Sequence, residues 1–513
     1  YNELYDPDRL ADRAWPLMKL RKFEEARKAA QEGIDTGDAR QREVAYNSLC
    51  AIEFEAGNDD KSYEACKRAM DNARSMGSDL DPADLMNFAE ASRSVFKLDE
   101  AERIDREAAD AAIAWYGNPW SELAELYLRE GRLGEAHSAL REIPRYRAQR
   151  PPHVRESDRN ENRRALSSFF VVLGRYDDAL RITQKALVAP DRRGHNSRDK
   201  AQDLSVAALL DASAHRLKAE RALEHAAGLG LRERLAAQFT ALSERVMAWS
   251  SARKAVRAVA DESRLTGSFQ IGTARAAVMP PWLAGELAEA VGPGAARAAI
   301  GAARAQDRRE LAGAYYDAFE GEAAYHAGDD DEAEQLLARA LGRLPEAEQL
   351  LRARTLALLG TLRMSRGADS TALRDYERTM QMDPSVLRRT GLALPVRVQT
   401  SGELGEDFAA MLGRSPRFEV GGRGLMVQVR VDRAQGEACL VGVSGAELAC
   451  GRAQAKANED ADTLLAKLLD DFHERAFAPR IDLTQVDANS LDGSNLRGTS
   501  QDLSPLMEGE GME

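Results

Sequence analysis

The sequence predicts a mostly α-helical chain: a right-handed solenoid of helical hairpins followed by a small α+β domain. Apolar residues recur at helical spacing in pairs of short segments broken by glycine. Small residues return at the same phase from pair to pair, and beyond Pro384 the period changes from helix to strand. No single hairpin can bury such stripes alone, so neighbours must stack.

Asn118–Pro144 is the clearest hairpin. Trp120, Leu123 and Tyr127 line its first helix beside the small Ala124, and Gly131 turns the chain. Leu133, Ala136, Leu140 and Ile143 form the second stripe before Pro144. The small residues matter because two helices approach closely only where a side chain is nearly absent. The pattern resembles the tetratricopeptide repeat (TPR) signature, Trp-x-x-Leu-Gly-x-x-Tyr with a small Ala and a closing Pro, with Ala124 at the signature glycine. This resemblance implies a surface that binds other polypeptides and supplies no chemistry.

The other units follow in order. A degraded first hairpin in 7–40 carries Leu10, Ala14 and Leu17, then Phe23, Ala26 and Ala30. The second has Tyr46, Leu49 and Cys50, the turn Gly57-Asn58, then Tyr63, Cys66 and Ala69. Asp81-Pro82 caps and opens the third, carried by Leu85, Phe88, Ala89, Leu98, Ala101 and Ala108. After a basic loop at 145–164, which reads as an exposed mixed-charge segment, the fifth returns with Leu166, Phe170, Gly174 and Ala179. These five units fill an N-terminal array, 1–190. Over 191–312 the signature fades, and divergent repeats or a separate helical insert both fit; Gln202–Leu229 and Leu231–Leu265 read as longer helices. A C-terminal pair in 313–385 restores the pattern with Gly321, Ala324, Gly328 and Leu337, then Leu356, Gly360, Gly367 and Tyr376.

Residues 386–480 read as a compact α+β domain. Strands are expected at Leu394–Gln399, Phe418–Val420, Leu425–Val431, Ala438–Val443 and Ala446–Ala453, and helices at Leu404–Leu412 and Asp460–Phe477. Gly421-Gly422-Arg423-Gly424 reads as a hairpin turn between two strands. This element order, with Asp-Phe-Ala-Ala-Met-Leu followed by Arg-Phe-Glu-Val, resembles small periplasmic lipoprotein modules such as the amino-terminal domain of the Tol-system propeller. Residues 481–513, polar and rich in Asp, Ser and Gly, read as a disordered tail.

A net charge of −13 and a pI near 5.3 argue against nucleic-acid binding, which needs a basic face. No apolar run is long enough for a transmembrane segment. A start at Tyr1 reads as a processed product, with any signal peptide or lipidated cysteine upstream. The seven histidines, 137, 153, 195, 215, 225, 326 and 473, are scattered, and no Cys-x-x-Cys occurs, so no metal, cofactor or catalytic residue is assigned. The chain is not expected to be an enzyme.

Four cysteines are more telling. With Ser444-Gly445 as a two-residue turn, Val443 faces Ala446 and Cys439 falls opposite Cys450, at a hydrogen-bonded site about 5.5 Å across. A Cys439–Cys450 disulfide, and with it an oxidising compartment, is the expectation; two buried thiols in a cytosolic chain are the alternative. For Cys50 and Cys66, on facing helices of one hairpin, a bridge and plain packing remain open.

Partner binding in this architecture uses the inner lining supplied by first helices. Read one position after each core slot, that lining is Asn47, Phe54, Met86, Arg93, Glu125, Arg129, Arg164 and Ser168. The family's carboxylate grip uses Lys and Asn on neighbouring first helices; Asn47 fits, but no lysine recurs in phase. The function expected is a protein–protein interaction scaffold of a bacterial cell-envelope assembly, periplasmic or outer-membrane-associated. The alternative is a cytosolic TPR regulator whose C-terminal domain transmits partner binding.

Overall fold

A computed structural model describes residues 10–77, 80–111, 113, 117–149, 162, 163, 165–188, 197–266, 285, 288, 292–306 and 311–492. The N-terminal array is a run of antiparallel helix pairs: Leu10–Lys19 with Phe23–Thr36, Ala39–Glu55 with Asp59–Met76, Pro82–Ser94 with Leu98–Asp110, and Pro119–Arg129 with Leu133–Ala148. Residues 165–172 pair with Tyr176–Val188. Ser197–Ala226 and Leu231–Thr266 then form a hairpin of 30- and 36-residue helices, longer than a repeat. Pro293–Gln306 precedes two further repeats, Ala312–Ala327 with Asp330–Leu341 and Gln349–Ser365 with Asp369–Met382. Residues 282–291 lie outside the described residues save 285 and 288.

Helix starts follow local chemistry. Asp38 and Gln41 form a reciprocal capping box, and Asp81 and Asn118 each cap a helix whose first residue is proline. Gly57, Gly131, Gly174, Gly328 and Gly367 take the left-handed conformation at the turns within hairpins. Arg21 and Phe96 hold the same conformation without glycine, φ 58° and 62°. Phe96 is offset by packing, since its ring stacks on Tyr315 with centroids 4.7 Å apart. Close helix contact is visible at Gly360, where a Cβ would sit 3.2 Å from the Tyr376 ring.

The short helix Val386–Thr390 leads into a five-stranded sheet: β1 (Leu394–Ser401), β2 (Phe418–Val420), β3 (Leu425–Val431), β4 (Gln435–Val441) and β5 (Glu447–Gln454). Strand order is β2-β1-β3-β4-β5, with β1 parallel to both β2 and β3 and the remaining pairs antiparallel. The expected hairpin at 421–424 is therefore corrected. The chain crosses the backbone of β1 there, and Gly424 passes so close that a Cβ would lie 2.3 Å from the Pro395 carbonyl. Helices Gly405–Leu412 and Ala461–Ala476 pack against the sheet, and Gly451 lets the second approach until a Cβ would be 2.5 Å from Phe472 Cα.

One apolar core runs from Phe96 through Leu123, Tyr127, Phe169 and Phe170 to Tyr315, Leu350 and Leu351. A second joins the last two repeats to the sheet domain. The solenoid thus folds back, and its C-terminal repeats pack on the fourth hairpin. Val486, Ala488 and Leu491 are buried in the first core, and Lys185 and Arg163 pair with Asp492. The disordered tail is corrected for 481–492: three apolar residues at short intervals suffice to dock it. Residues 493–513 lie outside the described residues.

Candidate functional site

First helices place polar side chains along the inner face of the second to fourth hairpins. Asn47 Nδ2 donates to Asp84 Oδ1, and Asn87 Nδ2 donates to Asn47 Oδ1 at 3.2 Å. Glu43, Asn47, Asp84, Asn87, Glu90, Glu122 and Glu125 are all half-buried. Their spacings, Glu43 to Asn47, Asp84 to Asn87 to Glu90 and Glu122 to Glu125, put each set on one helix face. The result is an acidic and amide-lined trough. Burial, with Asp81 and Glu43 close by, pushes the Asp84 carboxyl up to about 7 against the opposing hydrogen bond from Asn47. Arg93 beneath the trough pairs with Glu122 and lies 3.5 Å from Asp105. Burial opposes the Arg93 charge, but Glu122 and Asp105 raise its pKa overall, while burial drives Asp105 well above the usual carboxylate range.

Of the eight expected lining residues, Asn47 and Glu125 lie in this trough. Phe54, Met86, Arg93, Arg129 and Ser168 are buried in the chain's own interior, and this is a correction. The position beside a core slot is covered where neighbouring helices close over it, and from the fourth hairpin onward the C-terminal repeats cover the inner face. Arg129 donates through Nε to Glu348 at 3.3 Å, and Tyr315 Oη donates to the same carboxylate at 2.6 Å. Arg164 lies outside the described residues. Glu43, Asp84, Asn87, Glu90 and Glu122 were missed, although a three-to-four-residue acidic period on successive first helices was there to be read.

The cysteines form two bridges. Cys439 pairs with Cys450 across β4 and β5, Cα atoms 4.1 Å apart, and Cys50 with Cys66 between the helices of the second hairpin, 5.0 Å apart. The turn differs from the expected two-residue form. Gly442 N–H donates to Ala446 at 2.8 Å, enclosing Val443, Ser444 and Gly445, and a bulge between Leu440 and Val441 takes up the odd residue. The two departures cancel by Cys439, but the pair spans the narrow spacing of a non-hydrogen-bonded site rather than the wide one.

The sheet domain docks on the long hairpin through buried charge. Arg388 donates to Glu224 at 3.2 Å and to the His473 carbonyl at 3.0 Å, and Arg417 donates to Glu220 at 2.7 Å. Ser415, His473 and Glu224 follow one another like a hydrolase relay, with Ser415 Oγ 2.8 Å from His473 Nε2. However, His473 Nδ1 is 3.9 Å from Glu224, and all three side chains are buried with no access for a substrate. This cluster is a structural joint. Burial, aided by Arg388, Arg221 and Arg417 and opposed by Glu224, lowers His473 to about 4.

The architecture is that of a TPR-like helical-hairpin solenoid carrying a small C-terminal sheet domain. No family model and no curated protein matches the chain. Similar solved structures include yeast Tom70, 12% identical over 74% of this chain and 93% of that one, TM-score 0.22. A human IFIT1 dimer with m7Gppp-AAAA is 12% identical over 72% and 88%, TM-score 0.31. Naa15/Naa10 bound to HypK is 12% identical over 74% and 64%, TM-score 0.23. At these identities and scores neither partner nor activity transfers to this chain. Among the described residues, no helix is long and apolar enough to cross a membrane.

Proposed function

We propose that the protein is a non-catalytic scaffold that holds a positively charged segment of a partner polypeptide in the trough of its second to fourth hairpins. The carrying observation is the Glu43–Asn47–Asp84–Asn87 cluster: carboxylates and amides converge on one inner face, and Asp84 is held there at a cost that a bound cation would relieve. A Lys or Arg side chain supplies the missing charge, and the amides offer hydrogen bonds to its backbone. This differs from a carboxylate grip, which needs a cationic lining.

We further place this scaffold in a bacterial cell-envelope assembly, periplasmic or outer-membrane-associated. Two disulfides in one chain support an oxidising compartment. The C-terminal sheet domain, with an element order like small periplasmic lipoprotein modules, would engage a second component. Binding of short synthetic peptides graded in net charge tests the trough. Cationic peptides should bind and lose affinity at least tenfold with Asp84→Asn/Glu43→Gln; equal binding of anionic peptides would refute the reading. Alkylation of the folded protein without reductant tests the compartment: blocked thiols in material from the source cell support it, and four labelled cysteines refute it.

A further inference from the structure

The helix Leu231–Thr266 carries two opposite stripes. Ala237, Ala241, Ala248, Ser251 and Ala255 turn toward helix Ser197–Ala226, where Glu244 meets His215 at 2.6 Å. These are small side chains, and they let the two helices approach closely. The large ones face away: Leu235, Phe239, Leu242, Val246 and Trp249 are exposed, Phe239 at 73% and Trp249 at 60%. A hairpin that packs its alanines and turns its leucines and aromatics outward has a second face to bury.

We propose that this face is closed by the same face of a second copy of the chain, the two long hairpins packing antiparallel. Residues 235, 239, 242, 246 and 249 alternate steps of four and three, the narrow seam of a coiled coil rather than the broad apolar sector of a membrane-surface helix. Along one flank Ala236, Ser243 and Ser250 recur every seven residues and leave room for a facing helix. The seam is complementary to itself about Glu244: Phe239 of one copy meets Trp249 of the other, and Leu242 meets Val246.

Arg253 selects the antiparallel sense. It holds the next seam position and lies over Trp249, its guanidinium 4.8 Å from the ring centroid. A parallel pair would set two Arg253 side chains against each other, whereas the antiparallel pair sets each beside Leu235 of the other copy. Together with Leu231 and Met247 the seam exposes on the order of 700 Å² per copy, close to the roughly 800 Å² per partner of a stable interface. The seam shares no residue with the acidic trough, so the dimer stands or falls apart from the proposed function.

Sedimentation equilibrium of the full chain tests it. The wild type should be a dimer at micromolar concentration. Phe239→Glu/Leu242→Glu should be monomeric with an unchanged circular dichroism spectrum and Tm, because both positions are exposed. An equimolar mixture of Phe239→Cys and Trp249→Cys chains should cross-link between the two variants on oxidation. A monomeric wild type overturns the proposal, as does a variant that stays dimeric or a cross-link joining Phe239→Cys to itself. Flotation of a monomeric wild type, but not the double variant, with phosphatidylethanolamine–phosphatidylglycerol vesicles would assign the face to a membrane instead.

Discussion

Arg129 and Glu348 meet across 219 positions of sequence, with Nε 3.3 Å from the carboxylate and both side chains buried. The pair ties the first helix of the fourth hairpin to the start of the last repeat. Tyr315 completes the carboxylate's hydrogen bonding at 2.6 Å. Closure of the solenoid, rather than an open spiral, follows from this contact and from the stacking of Phe96 on Tyr315 beside it.

Loss of one partner should therefore cost far more than loss of both. Glu348→Ala leaves the buried Arg129 guanidinium without this carboxylate and should destabilise by about 3–5 kcal/mol, whereas Arg129→Met/Glu348→Leu should recover most of that. Urea-unfolding midpoints of the two variants check the order.

Gly451→Ala should be among the most damaging single-methyl additions in the sheet domain. The atom it meets is Phe472 Cα, backbone of a helix that cannot rotate away. A loss of about 1–3 kcal/mol is expected, read as a fall in Tm, with Gly445→Ala as a comparison in open space where only the left-handed backbone is strained.

His473 makes the docking of the sheet domain acid-sensitive. Its folded pKa, about 4, lies below its ordinary 6.5, so the folded chain binds fewer protons between those values and stability falls as pH drops through that window. The full span corresponds to about 3 kcal/mol. Glu322, held to about 2 by Arg354 and His326 against the pull of burial, loses its contribution at lower pH, below about 4.5, so the two effects separate. Tm against pH for the wild type and His473→Gln checks this: the stability of the wild type relative to the variant should fall as pH drops from 6.5 to 4.

Asp84 has the opposite sign. Its folded pKa, about 7, lies above the ordinary 3.8, so the folded chain binds more protons in between and stability falls as pH rises through that window. Asp84→Asn should match the wild type near pH 3.5 and exceed it by about 4 kcal/mol above pH 7. Tm measured for both proteins at the two ends of the window checks it. A gain in stability with a loss of cationic-peptide binding is the signature of a group kept for function.

The repeats were legible because turn glycines and small interface residues are local signals. Gly57, Gly131, Gly174, Gly328 and Gly367 mark their turns directly, and β1, β3 and helix Ala461–Ala476 fall within two residues of their expected bounds. What was not legible depends on distant partners. Nothing near Arg129 announces Glu348, and nothing in Gly421–Gly424 tells a crossing from a hairpin, because both need glycines. The tail was misread because Val486, Ala488 and Leu491 are few, and only the groove that receives them makes them sufficient. The trough was missed for a different reason: Asp84, Asn87 and Glu122 sit one position before the core slots Leu85, Phe88 and Leu123, whereas the expected lining was read one position after them.

The closure of the solenoid on itself is tested most directly by a cross-link. At Gly131 a Cβ would stand 3.6 Å from Gln349 Cβ, within the range a disulfide spans. Gly131→Cys/Gln349→Cys, oxidised and run on a non-reducing gel, should show a compact, faster-migrating intramolecular species in most molecules. If the double variant migrates like its single-cysteine controls, the two arrays are not in contact, and the inner face from Arg129 onward is open.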